Sequence, residues 1–85
     1  MAPDYVIVTL RTQSGSFEAD YELPAKLPVE CFIGLLLKSL AQRAPMQFGL
    51  WKGVSLSCGD RILSGGDTLE GCLIWDGQIL IIREV

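Results

Sequence analysis

The sequence predicts a two-layer α+β domain in which one main helix packs on a mixed sheet of four or five strands. Three observations carry that expectation. Residues Tyr5–Thr12 and Phe17–Leu23 are strand-like runs separated by a short Gly-containing break. Apolar residues at 29, 32, 33, 36, 37 and 40 recur with helical spacing. Ile79-Leu80-Ile81-Ile82 is a continuous aliphatic run suited to a strand flanked on both sides. One helix covers only one face of a sheet, so the order β-β-α-β-(β)-turn-β gives two layers.

Each element follows from its residues. Tyr5 to Thr12 is rich in β-branched residues and free of turn residues. Gln13-Ser14-Gly15-Ser16 is a polar break of hairpin length. Beyond it Phe17, Ala19, Tyr21 and Leu23 alternate with Glu18, Asp20 and Glu22, which reads as a half-buried strand with a wet acidic back. The two strands are expected to pair as an antiparallel hairpin. Pro24 ends the second, and Pro28 suits a first helical position, where no N–H is needed. Glu30 near the start of the helix and Lys38 and Arg43 near its end suit the helix dipole, and Pro45 stops it. Gly34 inside it costs up to about 1 kcal/mol relative to Ala.

The second half reads as shorter pieces. Phe48–Lys52 is a plausible strand, followed by a turn at Gly53 and an extended piece at Val54–Leu56. Asp60-Arg61-Ile62-Leu63 reads as irregular, and Ser64-Gly65-Gly66-Asp67 as a tight turn with positive φ at its glycines. Thr68–Leu73 has room for one helical turn, with Asp67 as its cap. Asp76-Gly77 is a turn signal before a strand at Gln78–Arg83. A β-grasp satisfies this order: an N-terminal hairpin, a helix crossing the sheet, and a last strand inserted beside the first. There is no internal repeat, low-complexity tract or linker, so residues 1–85 are expected to form a single domain.

Composition narrows the function. The 85 residues carry 7 Lys+Arg against 10 Asp+Glu and no His, a net charge of −3 that excludes a basic nucleic-acid footprint. Hydrophobic residues at 49% against 20% charged indicate a packed globule rather than a disordered tail. The longest near-continuous apolar stretch, Cys31–Leu37, is far shorter than the roughly 20 residues that span a bilayer. No signal peptide is expected from Met1-Ala2-Pro3-Asp4, which lacks a basic start and a following long apolar segment. A cytoplasmic protein without direct membrane insertion is expected. Without His, the chain lacks the commonest general base and the commonest metal ligand. Cys31, Cys58 and Cys72 are odd in number and far apart, which suits neither a disulfide framework nor the paired spacing of zinc sites. The expectation is no enzyme, no metal and no cofactor.

The motifs resemble the ubiquitin-like superfamily along nearly the whole chain. Gly65-Gly66-Asp67-Thr68-Leu69 followed by Leu73-Ile74-Trp75-Asp76-Gly77-Gln78-Ile79-Leu80 is similar to the ending of that superfamily. Glu22-Leu23-Pro24-Ala25, then Pro28-Val29 and a Leu-rich helix, look most like its YukD/EsaB branch. These are small ubiquitin-like proteins encoded with bacterial type VII (ESX-type) secretion systems, related to the cytosolic domain of the EccD-type membrane component. The resemblance implies a ubiquitin-like β-grasp and a non-enzymatic accessory component or regulator that acts by binding. Its implied partners are a secretion-system membrane component or ATPase, which would recruit it to the inner face of the membrane. Conjugation through a terminal Gly-Gly is not expected, because the sequence reads Arg83-Glu84-Val85 at its end. The alternative is a modifier or sulfur carrier matured by proteolysis.

Candidate interaction residues follow from alternation. With Val6, Val8 and Leu10 inward, Tyr5, Ile7, Thr9 and Arg11 point outward; with Leu80 and Ile82 inward, so do Ile79 and Ile81. Ile7, Ile79 and Ile81 then gather on a face that no helix covers, which the resemblance makes the usual recognition surface. An apolar patch bounded by polar residues marks a partner site, homo-oligomerisation included. The alternatives are scattered surface aliphatics, or Trp51 folded over them. Trp51 and Trp75 are further candidates, as interface anchors or as core filler. Glu18, Asp20 and Glu22 read as a solvated strand back or as a steer for a basic partner. Cys58 reads as an exposed thiol and Cys31 as a buried one. Lys26, Lys38 and Lys52 are available for modification, and nothing singles one out.

Overall fold

The computed structural model describes residues 4–85. Five strands and two helices follow in the order β1 (Tyr5–Thr12), β2 (Glu18–Pro24), α1 (Val29–Arg43), α2 (Pro45–Phe48), β3 (Val54–Cys58), β4 (Arg61–Ile62) and β5 (Ile79–Glu84). The strands form one mixed sheet in the order β2-β1-β5-β3-β4. β1 and β2 make the expected antiparallel hairpin, with Val8 opposite Tyr21. Gly15 turns it at φ 79°. β5 runs parallel to β1, Leu10 opposite Leu80, and antiparallel to β3, Leu56 opposite Ile82. Its aliphatic run therefore lies between two strands, with both edges paired and with Leu80 and Ile82 turned into the core.

The core lies between α1 and one face of the sheet. Val6, Val8, Leu10, Leu23, Leu56, Leu80 and Ile82 meet Val29, Phe32, Leu36 and Leu40 of the helix. Four helix residues three or four apart make the buried stripe. Cys31 falls off that stripe and is exposed, contrary to the expectation from its neighbour Phe32. No side chain caps α1. Its first N–H groups are taken by the 64–67 loop instead: Val29 donates to the Asp67 carbonyl at 2.8 Å and Glu30 to that of Gly65 at 2.9 Å.

Several segments differ from the sequence expectation. Phe48–Lys52 is not a strand. Pro45 starts a one-turn helix, and the Gly49 N–H continues it by donating to the Pro45 carbonyl at 2.9 Å. Phe48 is thereby fully buried, edge-on to Phe17 and Trp51 at ring-centroid distances of 4.9 and 4.8 Å. β3 continues to Cys58, and the stretch expected to be irregular holds the two-residue β4. Cys58 is half-buried rather than exposed.

The 64–74 loop keeps its expected turns but changes the residues responsible. Neither Gly65 nor Gly66 has a positive φ. A Cβ on Gly65 would lie 2.8 Å from Glu30 Oε2 and 3.3 Å from the Glu30 Cβ, so a larger residue there requires the exposed Glu30 side chain to shift. The helical turn at 68–73 is capped by Thr68, whose Oγ1 accepts from the Gly71 N–H at 2.9 Å, and not by Asp67. Asp67 Oδ2 accepts from the Ser64 N–H inside its own loop. The turn ends on Leu73 at φ 59°, with Ile74 N–H donating to Leu69 O and Leu73 N–H to Glu70 O. That is a Schellman ending, and the buried Leu69 and Ile74 supply its apolar contact.

Candidate functional site

The register brings Ile7, Ile79 and Ile81 to one surface. Thr9 lies opposite Ile79 and Arg11 opposite Ile81, so the outward residues of β1 and β5 interleave on the face away from α1. Ile7 is 49% exposed and Ile79 42%, while Ile81, flanked by Arg11 and Ser57, is half-buried. β3 and β4 extend the row: Ser57 pairs with Ile81 on one side and with Ile62 on the other. Ile62 is 61% exposed and was not legible as part of this face, because a two-residue strand shows no alternation. The patch is bounded towards β2 by polar pairs, Arg11 with Glu18 at 2.6 Å and Thr9 Oγ1 donating to Asp20 at 2.8 Å.

One end of this face is built by the 75–78 turn. The Ile7 N–H has no strand residue opposite it on the β5 side, and Asp76 Oδ1 accepts it at 2.7 Å. Gly77, at φ 89°, returns its own N–H to the Ile7 carbonyl at 2.9 Å. Trp75 precedes that turn and is 45% exposed, its N–H held by Gln78 Oε1. Trp51 lies elsewhere. It packs edge-on to the buried Phe48 on the helix side of the sheet, so it neither covers the isoleucines nor joins them.

The surface offers shape and apolar area rather than reacting groups. Ile7, Ile79, Ile62 and Trp75 project apolar side chains beside fixed polar neighbours, an arrangement that desolvates readily against a partner. Among the described residues, no group of three His, Cys, Asp or Glu side chains is placed to hold a metal ion. No helix among them is long and apolar enough to cross a membrane.

No protein-family profile matches the sequence, and no curated protein matches it. Solved structures do. A chain of the MycP5-free ESX-5 inner membrane complex superposes with a TM-score of 0.79 at 25% identity over 98% of this chain. This chain spans 21% of that one. The ubiquitin-like domain of the Mycobacterium tuberculosis type VII secretion system protein EccD1 superposes with a TM-score of 0.78 at 23% identity, covering 99% of this chain and 100% of the domain. The EccD5 ubiquitin-like domain from Mycobacterium xenopi gives a TM-score of 0.80 at 21% identity, covering 98% of this chain and 97% of that one. The fold is a ubiquitin-like β-grasp, an α+β domain with a five-stranded mixed sheet on one main helix. Two of the structures it resembles are ubiquitin-like domains of type VII secretion proteins.

Proposed function

We propose that this chain is a non-enzymatic ubiquitin-like binding module of a type VII (ESX-type) secretion system, a single domain over residues 1–85. It acts by non-covalent contact through the helix-free sheet face, with Ile7, Ile79 and Ile81 as its centre and Trp75 at its border. The likeness to a chain of the ESX-5 inner membrane complex over 98% of this chain carries the reading. The partner is a secretion-system membrane component or ATPase, which holds the domain at the cytoplasmic face of the membrane. Within that frame the chain serves as an accessory component or regulator of the YukD/EsaB kind.

The test is affinity capture from the native cells, with half of the eluate boiled in denaturant before mass spectrometry. A secretion ATPase or polytopic membrane component is expected in the native half and absent from the boiled half. Ile7→Lys should abolish that capture. Position 7 is exposed and faces Glu22, so a lysine there forms a favourable cross-strand pair and leaves stability within about 0.5 kcal/mol of the parent. Capture retained by the folded variant sinks the sheet-face assignment. Adducts that survive boiling favour the modifier reading instead.

A further inference from the structure

We propose that the corner formed by α2 docks on an anionic lipid surface, with Met46 and Leu50 seated below the headgroups and Arg43 and Lys52 beside them. The corner is held from within by Phe48, which is fully buried and edge-on to Phe17 and Trp51. The Gly49 N–H donates to the Pro45 carbonyl and carries the helical path up to Leu50. Residues two apart on a helical turn point to opposite sides, whereas residues four apart share one. Burial of Phe48 therefore turns Met46 and Leu50 outward together. Met46 is 100% exposed and Leu50 92%, the highest values among the described large apolar side chains.

Charge selects the occupant. Residues 31–59 carry Lys38, Arg43 and Lys52 and no acid, whereas the rest of the chain carries four cations against ten acids. Arg43 ends α1 three residues before Met46, and Lys52 follows Leu50 by two. Both are exposed, and neither forms an ion pair among the described residues. The Arg43 guanidinium stands over the Tyr21 ring at 5.5 Å, which positions it without neutralising it. Acids gather instead at the start of α1: Glu30 in its first turn, Asp67 at the Val29 N–H, and Glu70, whose N–H donates to the Ala25 carbonyl. Fifteen helical residues span ~22 Å, more than twice the ~8 Å over which salt screens, so those acids do not cancel the field at the corner. Nearer to it, Glu84 lies opposite Val54 with Arg83 beside it, and Glu18 is held by Arg11.

An acidic protein would need more surface than this. A stable protein interface takes about 800 Å² from each partner, and the corner offers two apolar knobs. The concave surface next to them is lined mostly by polar residues, among them Thr12, Ser16 and Gln47. A bilayer closes around knobs: its phosphates meet Arg43 and Lys52, and its acyl boundary takes Met46 and Leu50. The domain then lies on the surface without crossing it. The corner shares no residue with the isoleucine face, and capture of a secretion component through that face is read without lipid, so each assignment fails alone.

The experiment floats the chain with vesicles of phosphatidylcholine alone or with about 30% phosphatidylglycerol, in ~0.05 M and ~0.5 M NaCl. Flotation is expected with the anionic vesicles at low salt, at least ~10-fold above every other condition. Met46→Ser with Leu50→Ser, both at exposed positions, should lower it ~10-fold, and Lys52→Glu at least ~5-fold. Leu35→Ser removes an exposed leucine elsewhere on the surface and should leave flotation unchanged. A nitroxide-labelled lipid in the anionic vesicles should broaden the amides of Met46, Gly49 and Leu50 and spare Ile7 and Ile79, a readout that needs no variant. Equal flotation with neutral vesicles, flotation that survives the loss of Met46 and Leu50, or broadening centred on Ile7 and Ile79 overturns the proposal. Absence of flotation with either lipid overturns it too. Should the double serine variant then also lose a protein captured from cells, the corner belongs to an acidic protein instead.

Discussion

Leu73 holds a conformation that its side chain resists. Its φ of 59° belongs to the left-handed region, which costs an L-residue roughly 1–2 kcal/mol. The turn imposes it: Thr68 caps the start, Ile74 and Leu73 close the end onto Leu69 and Glu70, and the buried Leu69–Ile74 contact fixes the exit of the chain. Leu73 itself is 67% exposed, so its side chain contributes little packing in return. Leu73→Gly should raise stability by about 0.5–1 kcal/mol, the strain relieved less the extra freedom of glycine when unfolded. Leu73→Ala should give no gain, because alanine keeps the Cβ. Urea denaturation of the two variants decides the matter, and equal midpoints would remove the strain argument. A leucine retained against this cost, exposed and two residues before Trp75, has no packing reason in the structure.

At the scale of elements, α1 carries a second avoidable cost. Gly34 sits on the exposed side of the helix, and a Cβ added there meets nothing within 4 Å. Gly34→Ala should therefore stabilise by about 0.5–1 kcal/mol, read as a higher thermal midpoint with unchanged amide shifts on the sheet. A loss of stability would mean that the helix needs glycine for a reason other than space. The legible elements were those long enough to show a period. β1 and α1 were readable because eight and fifteen residues repeat their pattern several times. α2 and β4, at four and two residues, hold less than two periods, and Pro45–Phe48 takes its form from the burial of Phe48 rather than from any local pattern. The isoleucine face was legible for the same reason as β1 and β5. Ile62 joins it only through pairing to Ser57, which alternation does not encode.

For the molecule as a whole, the arrangement of β5 makes the halves interdependent. β5 is sequentially last, yet it lies between β1 and β3, so neither the hairpin nor the second half has a complete sheet alone. Phe48 tightens that dependence. It comes from the short helix after α1, is fully buried, and joins Phe17 beside the hairpin to Trp51 ahead of β3. Phe48→Ala should cost about 3–5 kcal/mol. A domain of this length has roughly 4–13 kcal/mol at 0.05–0.15 kcal/mol per residue, so the variant loses about a quarter of its stability or more. The neighbouring Met46, 100% exposed, is the matched control, and Met46→Ala should lie within about 0.5 kcal/mol of the parent. The two outcomes discriminate cooperative from local failure. If the halves depend on one another as the strand order requires, Phe48→Ala lowers hydrogen-exchange protection at Val6 and Leu80 as much as at Phe32. Protection kept in β1 and β5 but lost around α2 would instead make the aromatic cluster a satellite of an independently stable sheet.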